Sequence, residues 1–253
     1  MSGPFDLSAR VALVTGGASG IGTGMVRMLA EAGAVVAIAD RDYGGAERIA
    51  GELRAEGLQA HGFAVELADE ASIVEMVAAV TGWLGAPWIL VNNAGVQDRQ
   101  LLLEGTAAEW DRNNAINARA PFLLTRECAR GMIAAGNGGR IINVASCSLR
   151  GQAIKGLASY MGSKGALAAL TKASALELAE HAITVNTVLP GGVGTPGAIN
   201  AKGPEAVGPA RRFPALGMCE PADIAGAVLY FASPAARYAT NQTICVDAGW
   251  SVT

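Results

Sequence analysis

Short apolar segments rich in valine and isoleucine alternate along this chain with longer segments of helical periodicity. The first strand segment is RVALVTG, and in the helix segment that follows it Ile21, Met25 and Leu29 recur at helical spacing. Six further segments have strand character: AVVAIAD, QAHGFAVEL, PWILVNNAG, GGRIINVAS, AITVNTVLPG and QTICVDAG. Such alternation predicts βαβ units with right-handed crossovers, and therefore an α/β fold with a doubly wound parallel sheet of about seven strands and helices on both faces.

The length and the charge of the chain limit the classes that need to be considered. Neither an internal repeat nor a linker divides the 253 residues, which predicts one domain over residues 1–253. Residues 194–217 are dense in glycine and proline, and this predicts a loop or lid at a substrate site. The net charge of −3 gives no reason to expect binding to nucleic acid or to an anionic membrane surface.

Membrane spans and metal sites are not indicated by the sequence. The uncharged stretches from Met76 to Gln97 and from Ala182 to Ala201 are interrupted by glycine, proline and asparagine, so neither predicts a transmembrane helix. The four cysteines form no CxxC pair and the two histidines lie far apart, so no metal site is predicted. The first ten residues contain no apolar signal segment, which favours a cytoplasmic location.

The segment TGGASGIG, residues 15–22, lies between the first strand and the first helix. Gly16 permits a tight turn, Gly20 allows the backbone to approach a pyrophosphate, and Gly22 allows close helix packing. The helix N-terminus adds free N–H groups and a partial positive charge. A plain strand-to-helix turn is the alternative, since the chain has 33 glycines, but the flanking elements favour a dinucleotide site in a Rossmann-like domain.

Asp40 ends the second predicted strand, about 20 residues beyond these glycines. A carboxylate there can accept hydrogen bonds from both hydroxyls of an adenosine ribose, and it would repel a 2′-phosphate, so NAD is favoured over NADP. Arg41 and Arg27 could partly offset that repulsion. The alternative interpretation is that Asp40 caps a helix beginning near Gly44.

Tyr160 and Lys164 lie four residues apart in SYMGSKGAL, which places them on one face of a helix. An ammonium beside a phenol lowers the pKa of the tyrosine, which can then exchange a proton with an alcohol or ketone. Gly162 and Gly165 leave room for a flat ring, and Ser146 ends the fifth strand at the ligand-binding edge of the sheet. Alone, the pair would be better explained as a half-buried surface tyrosine with a chance lysine neighbour.

The pair belongs to an ordered series of motifs that covers essentially the whole chain from about Leu7 onwards. This series resembles the short-chain dehydrogenase/reductase family in its compact single-domain branch. The motifs are TGGASGIG (15–22), NNAG (92–95), Asn117 in INARAPFLLTR, Ser146 in IINVAS, YMGSK (160–164), PGGVGT (190–195) and VDAGW (246–250).

The resemblance implies a role for each catalytic candidate. Tyr160 would be the general acid/base, and Lys164 would lower its pKa and hold the nicotinamide ribose. Ser146 would bind the reacting oxygen, with Ser148 as a minor rival because the Ser146–Tyr160 spacing is one residue longer than is common in the family. Asn117 would hold a water that links Lys164 to solvent.

The resemblance and the architecture together predict the binding residues. Glu66 stands where many members of the family have an aspartate that contacts adenine. The implied cofactor-binding residues are Gly16, Ser19, Gly20, Ile21, Gly22, Asp40, Glu66, Leu67, Asn93, Ala94, Gly95, Tyr160, Lys164, Pro190, Gly191, Val193 and Thr195. The candidate substrate-binding residues, on loops after the fourth, fifth and sixth strands, are Gln97, Arg150, Gln152, Ile154 and Gly192.

The predicted function is that of an NAD-dependent oxidoreductase that interconverts a secondary alcohol and its ketone. One alternative is an NADPH-dependent reductase of 3-oxoacyl thioesters or other carbonyls, and another is a non-catalytic dinucleotide-binding regulator. The intact set of Asn117, Ser146, Tyr160 and Lys164 favours an enzyme, because a regulator needs none of them to bind NAD. The partners predicted are a small-molecule alcohol or ketone and further copies of the chain, as a homotetramer or homodimer built through the long helices.

Overall fold

A computed structural model describes residues 3–151, 153–204 and 214–252. Its centre is a parallel sheet of seven strands in the order β3-β2-β1-β4-β5-β6-β7. The predicted α/β class and the strand number are thereby confirmed. The strands are β1 (Val11–Thr15), β2 (Val35–Asp40), β3 (Ala60–Ala64), β4 (Ile89–Asn92), β5 (Gly139–Val144), β6 (Ile183–Pro190) and β7 (Thr243–Val246).

Helices cover both faces of the sheet. One apolar core lies between the sheet and helices α1, α2 and α8, and a second lies between the sheet and α3, α5 and α6. The helices are α1 (Ile21–Glu31), α2 (Tyr43–Ala55), α3 (Glu70–Leu84), α4 (Ala107–Asn114), α5 (Ala120–Ala135), α6 (Ala158–Leu178), α7 (Pro196–Ile199) and α8 (Pro221–Ala232).

The sequence of β1 shows why a central strand of this sheet is apolar throughout. Successive side chains of a strand point to opposite faces, so Ala12 and Val14 enter the first core while Val11 and Leu13 enter the second. Because both faces are covered, the strand carries no polar alternation. Because all strands are parallel, their carboxyl ends lie at one edge, and the predicted motifs gather there.

Two segments near this edge are irregular. Between α4 and α5 the chain forms one wide π-helical turn at Ala115–Arg119, which contains Asn117. In the predicted lid, residues 194–204 and 214–217 are described and include α7, whereas residues 205–213 lie outside the described part. Among the described residues, no helix is both long enough and apolar enough to cross a membrane.

Candidate active site

Two adjoining cavities lie along the carboxyl edge of the sheet. The smaller has a volume of about 300 Å³ and the larger about 810 Å³. They share walls at Ser19, Ile21 and Thr195, so the glycine-rich turn forms part of both. A continuous cleft therefore runs from Asp40 at one end to Tyr160 near the other.

The glycine-rich turn leaves the start of α1 open to the cleft. Gly20 is the N-cap residue and provides no side-chain hydrogen bond, so the first N–H groups of α1 have no cap. A Cβ at residue 20 would lie 3.2 Å from the Thr195 Cβ, and one at residue 22 would collide with the Gly16 carbonyl. The glycines thus keep space beside an anion-binding helix N-terminus, as the pyrophosphate prediction requires.

Asp40 lies in the smaller cavity at the end of β2. Its Oδ2 accepts a hydrogen bond of 3.1 Å from the Ala18 N–H, which fixes the carboxylate against the glycine-rich turn. The cap of α2 is Asp42, whose Oδ1 accepts from the Gly45 N–H, so the helix-cap alternative for Asp40 is wrong. The other oxygen of Asp40, Oδ1, accepts from the Asp42 N–H at 3.0 Å, and the carboxylate still lines the cavity.

The two arginines considered beside Asp40 are placed differently. Arg27 forms a two-pronged ion pair with Glu56 at 2.6 and 2.8 Å on the outer side of α1, and it lines neither cavity. Arg41 is exposed and lines both cavities. Only Arg41 can therefore reach a group bound near Asp40.

The turn after β4 forms the opposite wall of the smaller cavity. The Asn93 side-chain amide donates to the carbonyls of Thr15 and Gly16 at 2.9 and 3.1 Å, which joins β4 to the glycine-rich turn. Glu66 and Leu67 also line this cavity, and the Glu66 carboxylate accepts from the Ala68 N–H. The predicted cofactor residues from four strand ends thus meet around one space.

Ser146, Tyr160 and Lys164 all line the larger cavity. The Ser146 side chain lies close enough to the Tyr160 phenol to lower its pKa, and the buried Lys164 donates from Nζ to the Val144 carbonyl at 2.8 Å. Lys164 Nζ lies 5.8 Å from the centroid of the Tyr160 ring. The helical spacing of α6 therefore brings the phenol and the ammonium to one wall, beside the serine that follows β5.

In the protein without cofactor, the pKa of Tyr160 is raised, whereas the sequence predicted that Lys164 would lower it. Burial raises the pKa of Tyr160 to about 12, although the hydrogen bond from Ser146 lowers it. Burial also lowers the pKa of Lys164 to about 8. Because loss of hydration disfavours each charged form, the isolated protein holds a neutral phenol at pH 7.

Gly95 lies next to both the Asn117 side chain and the Lys164 ammonium. The Asn117 side chain accepts from the Val96 N–H at 2.9 Å and donates to the Ser163 hydroxyl at 3.0 Å. A Cβ at residue 95 would lie 3.3 Å from Lys164 Nζ, so glycine preserves the space around the ammonium. Asn117 is fully buried and lines neither cavity, and its role in holding a water stays a prediction.

The predicted substrate residues are only partly brought together. Gln97, Ile154 and Gly192 line the larger cavity, whereas Arg150 is exposed and does not line it. Gln152 lies outside the described residues. Pro190, Gly191 and Val193, predicted at the nicotinamide end, line the same cavity.

Several wall residues were not singled out from the sequence. Asp98, Arg99, Arg112 and Met218 reach the larger cavity without a local motif that marks them, whereas Lys202 lies in the loop 194–217 that was predicted at a substrate site. Trp250 and Met218 lie next to each other against Gly192, and all three residues line the larger cavity. The room left by Gly162 is taken by the Trp110 ring of α4, 2.9 Å from a Cβ at that position.

The donor set fits a nicotinamide dinucleotide. An uncapped helix N-terminus suits the pyrophosphate, the Asp40 carboxylate suits a ribose, and the glycines leave space between them. Within the described part of the chain, no three His, Cys, Asp or Glu residues are grouped so that they could hold a metal ion.

Comparisons with known proteins agree with this assignment. The family model for short chain dehydrogenase matches residues 10–205. The 2,5-dichloro-2,5-cyclohexadiene-1,4-diol dehydrogenase of Sphingobium indicum is 35% identical over 247 residues, 97% of this chain and 98% of that protein. The sorbitol dehydrogenase of Cereibacter sphaeroides is 37% identical over 257 residues, with 96% and 98% covered.

A solved structure extends the likeness to the fold. The gluconate 5-dehydrogenase of Burkholderia cenocepacia J2315, in complex with NADP and tartrate, superposes with a TM-score of 0.90 at 33% identity, covering 99% of this chain and 98% of that one. The chain therefore belongs to the short-chain dehydrogenase/reductase family.

Proposed function

We propose that the protein is an NAD-dependent oxidoreductase that interconverts a secondary alcohol and its ketone. The observation that carries the proposal is that Ser146 and Tyr160 line one cavity, which adjoins the cavity at the glycine-rich turn. A reacting oxygen that meets both hydroxyls is held and can exchange a proton. Bound NAD supplies or accepts the hydride, and the protein supplies the positioning.

Each of the four candidate catalytic residues has a defined role in this proposal. Tyr160 gives its proton to the ketone oxygen, or takes one from the alcohol, and Ser146 donates a hydrogen bond that stabilises the phenolate. Lys164 holds the nicotinamide ribose, and its charge opposes the effect of burial on the phenol. Asn117 fixes the backbone that surrounds Lys164.

Preference for NAD rests on Asp40 and is the finer part of the proposal. Removal of Arg27 from the cavity by its pairing with Glu56 supports NAD, because one of two cations that could hold a 2′-phosphate is absent. Arg41 favours NADP in turn, and the related gluconate 5-dehydrogenase structure contains NADP. The Asp40 carboxylate is hydrogen-bonded to the Ala18 N–H of the glycine-rich turn, and this placement supports the proposed preference for NAD.

The remaining expectations are proposals about the setting of the enzyme. Four free cysteines suit a reducing cytoplasm, since none is paired in a disulfide. Residues 194–217 are proposed to act as a lid over the substrate within a single domain. The chain is proposed to assemble as a homotetramer or homodimer through its long helices.

The test is the variant Tyr160→Phe, with Tyr238→Phe as its control because Tyr238 is exposed on the surface. We expect Tyr160→Phe to lose turnover by roughly 10²-fold or more, because the proton donor is removed, while NADH binding stays within about threefold. Turnover is measured on a panel of polyols, hydroxy acids, steroids and aromatic alcohols, and binding by NADH fluorescence. Normal turnover in Tyr160→Phe would rule out the proposed acid/base.

A further inference from the structure

The charges around the larger cavity are strongly one-sided. The chain has 22 acidic and 19 basic residues, yet the described lining of this cavity contains five cations and one carboxylate. Lys164 belongs to the catalytic wall and Arg41 lies beside the dinucleotide end. The other cations, Arg99, Arg112 and Lys202, lie on the segment after β4, on α4 and after α7, with Asp98 among them.

Arg112 is already neutralised. Its Nη1 donates to Asp98 Oδ2 at 2.8 Å and lies 3.4 Å from the Glu109 carboxylate. Burial acts to raise the pKa of Asp98, but hydrogen bonds from the Lys202 N–H and from Arg112 outweigh it and hold that pKa below its usual value. Asp98, the one carboxylate in the described lining of the cavity, is therefore ionised, with one oxygen bonded to Arg112 and the other to the Lys202 N–H.

Arg99 has hydrogen bonds but no counter-ion within the described residues. Its Nε donates to the Pro204 carbonyl at 2.9 Å and its Nη2 to the Ala201 carbonyl at 3.2 Å, and both acceptors are uncharged. Its Nη1 makes no hydrogen bond to the described part of the chain. A partly buried guanidinium with neutral partners and unused donors is suited to accept an anion.

Lys202 is held next to Arg99 by the backbone. The Arg99 N–H donates to the Lys202 carbonyl at 2.7 Å, and the Lys202 N–H donates to Asp98 Oδ1 at 3.0 Å. No ion pair of the Lys202 ammonium occurs among residues 3–151, 153–204 and 214–252. Among the described residues, Arg99 and Lys202 are thus neighbours in the cavity that contains Tyr160 and neither forms an ion pair, although the Lys202 charge also acts on Asp98.

We propose that Arg99 and Lys202 form an anion subsite that selects substrates carrying an oxyanion group, a carboxylate or a phosphate, in addition to the reacting alcohol or ketone. This proposal rests on the proposed function, since it names the substrate class of the same cleft. An oxyanion there would accept charge-assisted hydrogen bonds from both side chains, which a hydroxymethyl group in its place would not match. Such hydrogen bonds make a difference of roughly tenfold or more in affinity.

D-Gluconate and D-sorbitol test this directly, because they differ only at C1, a carboxylate in one and a hydroxymethyl group in the other. Their dissociation constants are measured by calorimetry on the enzyme saturated with NADH, with D-sorbitol 6-phosphate as the phosphate arm. We expect at least one of the two anions to bind tenfold or more tightly than sorbitol at low salt, and the ratio to fall in 0.5 M NaCl. The arm with the larger ratio identifies the oxyanion.

Lys202→Gln is expected to reduce the anion-to-sorbitol ratio by about tenfold. Lys155→Gln is the matched control, since Lys155 is exposed and does not line the cavity, and it should leave the ratio unchanged. Sorbitol binding as tightly as both anions, or a ratio unaffected by Lys202→Gln, would overturn the subsite. Oxidation of a neutral alcohol without anion preference would retain the proposed function alone, whereas anion preference without any turnover would retain the subsite alone.

Discussion

At the scale of single residues, Asp40 is the position at which we expect a substitution to change the choice between NAD and NADP. Asp40→Asn keeps one of the two oxygens that accept from the Ala18 and Asp42 N–H groups, and it removes the negative charge that would face a 2′-phosphate. We expect the ratio of kcat/KM for NAD to that for NADP to fall roughly tenfold or more, because a charged acceptor of the ribose hydroxyls is lost. Steady-state kinetics with both cofactors measures the ratio.

Asp42→Asn is the control for this change. Asp42 lies two residues further on and caps α2, where asparagine is an equally good N-cap residue. It should leave the cofactor ratio unchanged. An unaltered ratio in Asp40→Asn would mean that Arg41, and not the carboxylate, governs the choice.

Burial of the Lys164 ammonium lowers the free energy of unfolding by an amount that depends on pH. A fall of its pKa from 10.5 to about 8 corresponds to roughly 3 kcal/mol. The unfolded chain keeps this proton up to about pH 10.5, whereas the folded protein releases it near pH 8, so the cost is fully present below pH 8 and disappears as the pH rises towards 10.5. The hydrogen bond from Nζ to the Val144 carbonyl recovers part of it.

Lys164→Met should therefore unfold with a free energy about 1–2 kcal/mol higher than the unsubstituted protein at pH 7, without cofactor. The difference should shrink between pH 8 and pH 10, because only the unsubstituted protein loses a proton on folding there. Urea unfolding at several pH values measures it, and Lys172→Met, on the exposed side of the same helix, controls for the loss of a lysine. A difference independent of pH would show that Lys164 stays protonated in the fold.

Some site residues could be predicted from neighbouring positions in the sequence, whereas others depend on contacts between distant segments. Tyr160 and Lys164 could be predicted because an i, i+4 spacing on a helix is sufficient to bring two side chains together. Arg99 and Lys202 could not, because their proximity depends on a loop folding back onto a segment more than 100 positions earlier in the chain. The raised pKa of Tyr160 was also missed, since spacing gives proximity but not hydration.

At the scale of elements, α6 contains two glycines in different surroundings. A Cβ at Gly165 would meet no atom within 4 Å, whereas one at Gly162 would lie 2.9 Å from the Trp110 ring of α4. Alanine lowers the conformational freedom of the unfolded chain relative to glycine, so Gly165→Ala should stabilise the protein by about 0.5–1 kcal/mol.

Gly162→Ala should give none of that gain. The Trp110 ring must move to admit the methyl group, so the expected free energy of unfolding is unchanged or lowered by about 1 kcal/mol. Chemical denaturation of the two variants side by side provides the comparison, since each adds one methyl group to the same helix. Equal stabilisation by both substitutions would mean that the Trp110 ring moves away from α6 without lowering the free energy of unfolding.

The helical segment between β4 and β5 shows what elements the sequence pattern could not resolve. The helical stretch from Ala107 to Ala135 is divided into α4 and α5 by the π-helical turn Ala115–Arg119. That turn holds Asn117 against Val96 and Ser163. The break arises from contacts with other elements, so hydrophobic periodicity alone does not reveal it.

At the scale of the whole molecule, the parallel sheet was predictable because the central strands β1, β4, β5 and β6 are buried on both faces. Apolar runs such as the one in β1 alternate with amphipathic helices, and that alternation has few topological solutions. The glycine-rich turn and Asp40 then predicted which end of the cleft would hold a dinucleotide. The walls formed by Met218 and Trp250 depend on how the last third of the chain closes over β5 and β6, which no local pattern specifies.

The surface of the long helices carries the last prediction, which concerns assembly. Leu176 on α6 is 81% exposed and Phe122 on α5 is 48% exposed, which is unfavourable for large apolar side chains in water. We expect a second copy of the chain to cover this surface. Leu176→Lys should then shift the protein towards monomer in sedimentation velocity at micromolar concentration, while Val74→Lys, on exposed α3 surface, should not.

Association through α6 would also affect catalysis, because the same helix carries Tyr160 and Lys164 at its first turns. Packing its far end against a partner restricts the helix, so dissociation should loosen the position of both side chains. We therefore expect turnover per subunit to fall when the unsubstituted enzyme is diluted through its dissociation range, and to be low at all concentrations in Leu176→Lys. A monomeric unsubstituted protein with full turnover would contradict both parts of this prediction.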